Sequence, residues 1–268
     1  MATMIHPTAV VDPRAELAEG VEVGPYAVIG PQVRVGSGSR IGPHVVIDGR
    51  VRIGRDNRIF PGACIGLEPQ DLKYTGDPTE VVIGDGNTIR ECVTINRATT
   101  DHQQTRVGDG NLLMAYSHLG HNCDLGDRIV IANGVAVAGH VVIGDRAVIG
   151  GVLGIHQFVQ IGTLAMVGGM SRIERDVPPF CLVEGHPSRV RALNKIGLRR
   201  SGLMDLDDGR QSEDLRRAWT LLYRRGLTLA EALGQLRAEP LTAAAETLVA
   251  FLEGSLQPSR RGPIPGAR

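Results

Sequence analysis

The sequence predicts a mainly β fold, a parallel β-helix of hexapeptide repeats followed by a C-terminal α-helical domain. Three observations predict it. An aliphatic residue recurs every six positions, from Ile5, Val11, Leu17 and Val23 through Ile65, and again from Ile83 to Ile173 in the same phase. Of the 29 slots between 5 and 173, 26 hold Ile, Val or Leu, whereas composition alone would fill about a quarter of them. The next residue is Gly in 14 of these units, as at Gly24, Gly36, Gly126 and Gly144. Beyond Pro178 and Pro179 the period of six stops, and from about Ser188 the apolar spacing becomes helical.

A period of six fits neither a 3.6-residue helix nor one long alternating strand, so each hexad reads as a short strand plus a corner. Three hexads close a triangular coil whose aliphatic residues stack inside. About ten such coils, at roughly 4.8 Å each, give a prism approaching 50 Å in length. Composition agrees: the chain has 35 Gly but only four Phe, four Tyr and one Trp in 268 residues, so its core is aliphatic and rich in turns.

Taken in order, residues 1–187 form the β-helix, interrupted near 67–80 (LEPQDLKYTGDPTE) and 100–106 (TDHQQTR). Repeats accept insertions as external loops, and such loops commonly shape a binding face. Residues 188–256 form the helical domain, with helices over 190–200, 212–225, 228–237 and 242–253; Thr228 and Glu231 make a capping box for the third. The tail 257–268, rich in Pro, Gly and Arg, is expected to be mobile.

Twenty-nine basic residues balance twenty-nine acidic ones, which argues against a nucleic acid as the main partner. The balance is uneven along the chain. Residues 1–185 hold 15 Lys or Arg and 20 Asp or Glu, leaving 14 and 9 from 186 onward. No segment approaches the roughly 18–20 apolar residues of a membrane span, and the start lacks a signal-peptide layout. Cys64, Cys92, Cys123 and Cys181 form no CxxC pair, so reduced thiols and a cytoplasmic location are expected.

Residues 18 apart stack directly in the unbroken stretch from 107 to 173. His121, Gly139 and Gln157 share a column, Asn122 lies under His140, and His118 and His156 fall near the same corner. Four of the eight histidines thus gather on one edge. An imidazole of near-neutral pKa can take a proton from a hydroxyl, and a bare Gly amide one coil away can donate to an oxyanion. Two plainer readings compete: solvated corner residues with no shared task, or a zinc site, which would need three ligands converging on one point. Cys123 occupies the fifth, small-residue slot and reads as a packed core thiol. No GxSxG elbow or phosphate-binding Walker loop occurs.

The stretches IHPTAVVDP, GRDNRIFPGACIG, QDLKYTGDPT, IRECVTINRAT, GDGNLLMAYSHLGHNCDLG, VAGHVVIG, GIHQFVQIG, MVGGMSRIERDVPPF and NKIGLRRSG resemble the UDP-N-acetylglucosamine 3-O-acyltransferases, which begin lipid A synthesis. The resemblance covers nearly the whole chain, and QDLKY and the H-x-x-H segment are its specific motifs. The related N-acyltransferases carry a further N-terminal domain, for which no room is expected before Ile5.

The resemblance implies a left-handed coil and a homotrimer with active sites between neighbouring prisms. His121 matches the general base acting on the sugar 3-hydroxyl, and Gly139 the backbone donor to the oxyanion. Gln70, Asp71 and Lys73 match positions that bind the glucosamine unit and phosphates. His118, His140, His156, Gln157, Asn194 and Arg200 match positions in the sugar-nucleotide and acyl-donor pockets, and Gly169 the far end of the acyl groove. The implied donor is a 3-hydroxyacyl chain on acyl carrier protein, an acidic partner that Arg199, Arg200, Arg210, Arg216, Arg217, Arg224 and Arg225 would attract. No cofactor and no metal are implied. The chain departs from the pattern at Asn122 and Ile196, where the family has acidic residues, at Asn96, where it has His, and at Ser201, where it has Arg. A 3-amino sugar acceptor, a coenzyme A-dependent acetyltransferase and a noncatalytic trimeric scaffold are the competing functions.

Overall fold

The computed structural model describes residues 2–267. Among them, short strands form three sheets of eleven, nine and eight strands, wound as a left-handed parallel β-helix. We name the faces A, B and C in the order the chain visits them, starting from Ile5, Val11 and Leu17 respectively. Every strand pairs in parallel with the same face of the next coil, apart from a closing antiparallel hairpin on face A. Partners lie 18 residues apart in the C-terminal coils, as in Leu113↔Ile131 and Leu119↔Val137. Across the first insertion the offset is 30, as in Cys64↔Thr94, and across the second it is 24, as in Thr94↔His118. The insertions therefore add 12 and 6 residues, whole hexads, which is why the aliphatic phase survives them.

Inward side chains such as Ile47, Ile65, Ile95, Leu119 and Ile149 are completely buried, and each contributes roughly 1.5–3 kcal/mol by leaving water. The corners have their own rules. At the fourth position of the hexad the backbone turns left-handed even for bulky residues: φ is 55° at His44, 59° at Asn122, 57° at His140 and 67° at Phe158. These side chains are thereby thrown outward in vertical columns. At the third position stand Pro7, Pro13, Pro25, Pro31, Pro43 and Pro61. Proline has no N–H, so the fold requires no hydrogen-bond donor at that position. Cys123 is fully buried, and burial pushes its thiol up to about 12, as suits a core residue.

Beyond the last coil the structure departs from the expected helix over 190–200. Cys181–Gly185 and Ser188–Leu193 form the hairpin that closes face A. Buried Ser188 and Val190 alternate with more exposed neighbours, the period of a strand, and an open sheet edge there needs a partner. Helix α1, Lys195–Arg200, starts only where Asn194 caps it. A 3-10 segment, Leu203–Gly209, leads to α2, Arg210–Arg224, then α3, Leu229–Arg237, and α4, Ala243–Ser255. Thr228 and Glu231 do form a capping box. The helices share a core built on Leu215, Leu222, Leu236, Leu248 and Leu252, which packs on Leu164 and Phe180 of the prism.

The tail expected to be mobile is instead docked. Asp176 bridges to Pro263 and Val190 to Gly266, with Ile264 only 3% exposed. The last coil has no successor, so amide and carbonyl groups at its end are satisfied by the C-terminus: Val190 N donates to Pro265 O and Ile264 N to Asp176 O. Gly and Pro suit this irregular strap, which runs as isolated bridges and needs no regular strand.

Candidate active site

Both insertions leave the prism at the same corner, between faces B and C, where His121 sits one coil above Arg97. Arg97 folds back under the first loop. Its guanidinium donates to Gly66 O at 2.9 Å and to the Tyr74 hydroxyl at 3.0 and 3.1 Å. Asn96 donates from Nδ2 to Glu68 O at 2.7 Å, so where the resemblance implies a His a neutral amide ties the base of this loop. The loop then turns at Asp71, whose carboxylate accepts from Lys73 N and reaches to 3.6 Å from His121 Nε2. Gln70 and Lys73 stand exposed on the same loop.

The second loop is shorter than expected, because strand Gln104–Val107 reclaims 104–106 for face C. Its role is to hold Asn122. The Asn122 Oδ1 accepts from Thr99 N at 3.2 Å and from Thr99 Oγ1 at 3.0 Å, while Nδ2 donates to Gln103 Oε1 at 2.6 Å. A backbone N–H can only donate, so the atom facing it is the amide oxygen. That same oxygen lies 2.9 Å from His121 Nδ1. Nδ1 must then carry the ring proton, and Nε2 keeps its lone pair toward Asp71. Asn122 therefore sets the tautomer and angle of His121 without supplying charge.

Above His121 lies Gly139. A Cβ built there would come within 2.4 Å of the His121 ring at Nε2 and Cε1. A Cβ on Gly120 would meet Gly139 N at 2.9 Å. Two bare glycines thus let imidazole and amide share one corner. Gly139 occupies the third hexad position, the one the fold so often fills with proline, so its N–H is not engaged in holding the coil. His140 packs edge-on against His121, with ring centroids 5.1 Å apart, and stacks on Phe158 at 4.8 Å. Gln157 follows in the His121 column, and the exposed His156 directs Nδ1 to Gln157 O at 3.0 Å. His118 Nδ1 is 2.7 Å from Thr94 Oγ1.

Burial, with the nearby His121 adding, holds His118 below the ordinary histidine range; His140 is lowered for the same two reasons, with Asp71 opposing. Unfolded, His118 would titrate near about 6.5. The unfolded chain therefore takes up more protons as pH falls below that value, and stability drops with it. His118→Gln is expected to flatten the decline of Tm between about pH 6.5 and 5; parallel Tm–pH curves for the two proteins would contradict this.

The structure does not bring Asn194 and Arg200 to this corner. They line a cleft of about 790 Å³ on the edge between faces C and A, with Arg128, Arg146, Lys195, Ile196 and Ser201 around a floor of Val148, Leu164, Met166 and Leu182. Asn194 is partly committed to the fold: Oδ1 caps α1 through Gly197 N, and Nδ2 donates to Leu164 O. Ser201 closes the same helix through Leu198 O. Gly169 stands at the third edge, between faces A and B, where a Cβ would meet Gly151 O at 3.2 Å. Between it and His121 runs face B, whose outward residues there are Ala136 and Gly154. Arg97, Thr99, Gln103 and Phe158 were not singled out by the sequence. The register of 24 across the second loop is what places Arg97 under His121. Among the described residues, no three His, Cys, Asp or Glu side chains are grouped to hold a metal ion.

Comparison with known proteins adds the following. The family described as UDP N-acetylglucosamine O-acyltransferase, domain 2, matches residues 176–264, and bacterial transferase hexapeptide (six repeats) matches 104–139. The acyl-(acyl-carrier-protein):UDP-N-acetylglucosamine O-acyltransferase of Verminephrobacter eiseniae is 49% identical over 262 residues, covering 96% of this chain and 98% of its own. That of Gloeothece citriformis is 55% identical over 206 residues, 76% of this chain and 73% of its own. Among solved structures, LpxA from Acinetobacter baumannii superposes with a TM-score of 0.90 at 42% identity, covering 97% of this chain and 99% of that one. The UDP-N-acetylglucosamine acyltransferase of Arabidopsis gives 0.84 at 32% identity, covering 97% and 100%.

Proposed function

This chain belongs to the UDP-N-acetylglucosamine O-acyltransferases, and from that premise we propose that it transfers a 3-hydroxyacyl chain from acyl carrier protein to the 3-hydroxyl of UDP-N-acetylglucosamine, the first step of lipid A biosynthesis. The observation that carries the assignment of roles is the pairing of a His121 Nε2 lone pair with the uncommitted Gly139 N–H one coil away. His121 Nε2 takes the proton of the 3-hydroxyl as its oxygen attacks the thioester carbonyl carbon. The carbonyl oxygen becomes an oxyanion and accepts from Gly139 N–H. The C–S bond then breaks, and the departing thiolate of the carrier takes the proton from the imidazolium. Asp71, 3.6 Å from Nε2, accepts from the sugar in this reading and so selects which hydroxyl reaches the base; Gln70 and Lys73 extend that contact toward the phosphates.

One copy leaves the site divided. The His121 edge and the cationic cleft of Asn194 and Arg200 are separated by face C, so a closed pocket containing both needs a neighbour. Face A offers a surface for one: Leu112, Val130, Val148, Met166 and Leu182 form a continuous outward ladder of half-buried aliphatic residues. A homotrimer satisfies both requirements, with Arg128, Arg146, Lys195 and Arg200 of the cleft meeting the anionic parts of nucleotide or donor. The arginines of α1 and α2 give the acidic carrier protein a basic approach. Gly169 would mark the end of the acyl path along face B. We read the protein as cytoplasmic; among the described residues no helix is long and apolar enough to cross a membrane.

The test is the mass of the product formed from UDP-N-acetylglucosamine and a mixture of 3-hydroxyacyl carrier proteins. One singly acylated sugar nucleotide is expected, and its mass reports the chain length. Product only from a 3-amino acceptor, or only from acyl-coenzyme A, would replace the assignment. No product from any pair would leave the scaffold reading.

A further inference from the structure

The corner carrying His156 and Gln157 is held from behind by the chain's own C-terminal strap. Asp176 is 3% exposed, and its carboxylate accepts from Gln160 N at 2.8 Å, Ser255 Oγ at 2.6 Å, and Arg260 Nε and Nη2 at 2.9 and 2.7 Å. The same Nη2 also donates to Phe158 O at 3.1 Å. One ion pair, between buried Asp176 and half-buried Arg260, therefore grips both ends of the segment 158–160. The strap brings Arg260 there through two backbone bonds to Asp176, Asp176 N to Gly262 O and Ile264 N to Asp176 O.

What the gripped segment carries is the Phe158 ring. It is exposed, projects from a left-handed corner, and lies nearly parallel to His140, at 20° and 4.8 Å. His140 in turn meets His121 edge-on at 86°. An unbroken line of contacts runs from the C-terminus to the imidazole beside Gly139.

We propose that Arg260 and Phe158 are positioning residues for the acyl transfer: through the ion pair with Asp176, the strap fixes the Phe158 ring and so the ring of His140 against His121. The inference rests on the acyl-transfer reading of His121. A contribution that only closes the end of the prism would cost stability and leave the histidine rings as they are.

Three variants separate these. Phe158→Leu removes the ring face and leaves the ion pair intact; Arg260→Lys keeps the charge and loses the two-pronged grip; Ile264→Ala removes apolar packing at the end of the prism and keeps the ion pair and the strap's backbone bonds to Asp176. The readouts are kcat and KM for the acceptor, Tm, and the ring resonances of His140 and His121 followed by NMR through a pH titration. The titratable and charged groups facing His140 are His121 and Asp71, and none of the variants alters them. Phe158→Leu and Arg260→Lys are expected to lower kcat about 10-fold, with a smaller change in KM, and to raise the His140 titration midpoint as the ring gains water. Ile264→Ala is expected to lower Tm with kcat and the midpoint unchanged. Unaltered His140 resonances and kcat in Phe158→Leu would overturn the proposal, as would equal kcat losses in Ile264→Ala and Arg260→Lys. Wild-type protein that forms no acylated product while its rings respond as expected would sink the acyl-transfer reading alone.

Discussion

His121→Ala is expected to lower kcat by about 10²–10⁴-fold, the range that a positioned general base supplies, while leaving Tm and the proposed trimer intact. His121 is 8% exposed, and its side chain sits on the outer side of the corner, away from the aliphatic interior. Its side-chain hydrogen bond is to Asn122, with Asp71 at 3.6 Å from Nε2, and Asn122 keeps three further hydrogen bonds, to Thr99 and Gln103 of the second loop, without it. The KM for the acceptor should move less than kcat, because the Asp71 loop is held by Arg97 independently of His121. Steady-state kinetics with a thermal melt decide the matter. Turnover within 3-fold of wild type would remove His121 as the base.

Gly139→Ala is expected to be nearly as damaging, though it adds one methyl group and removes nothing. The added carbon would stand 2.4 Å from His121 Nε2 and Cε1, far inside van der Waals contact, and the ring cannot give way freely because Nδ1 is tied to Asn122. A displacement of about 1 Å at the reacting atoms can cost about 10²-fold in rate, and disturbing the amide proposed as oxyanion donor adds to that. kcat should fall at least about 100-fold, while Tm changes little because the corner faces outward. Activity within 3-fold of wild type would mean that the His121–Gly139 pair is not where the chemistry occurs.

The prism was legible because its rule is local and repeated. One aliphatic residue in six is visible to counting, and 18 residues per coil turn counting into contacts, so the column of His121, Gly139 and Gln157 could be written down before any coordinate. The insertions hid their consequences for a matching reason. They add whole hexads, which leaves the phase intact but changes the offset to 30 and then 24, and only those offsets reveal Arg97 beneath His121. The strand Ser188–Leu193 is hidden in the sequence because its alternation spans a single buried pair, Ser188 and Val190, too short a run to outweigh the helical pattern that follows. The strap was misread as mobile because composition records Gly and Pro as breakers, whereas the end of a solenoid needs an irregular segment to satisfy its last amides. Asn122 is the instructive departure: the sequence shows a lost charge, and the loop around it shows why an amide suffices to orient the ring.

In the trimer we propose, each active site joins the His121 corner of one copy to the cationic cleft of its neighbour. Co-assembly of two damaged chains tests it most directly. His121→Ala lacks the base, and Arg200→Glu reverses an exposed charge of the cleft; each alone is expected to be nearly inert. In trimers assembled at random from equal amounts, every mixed trimer keeps one site with both halves intact, so about a quarter of wild-type turnover should return. Turnover no greater than the average of the two parents would place both halves of the site on a single chain and contradict the account.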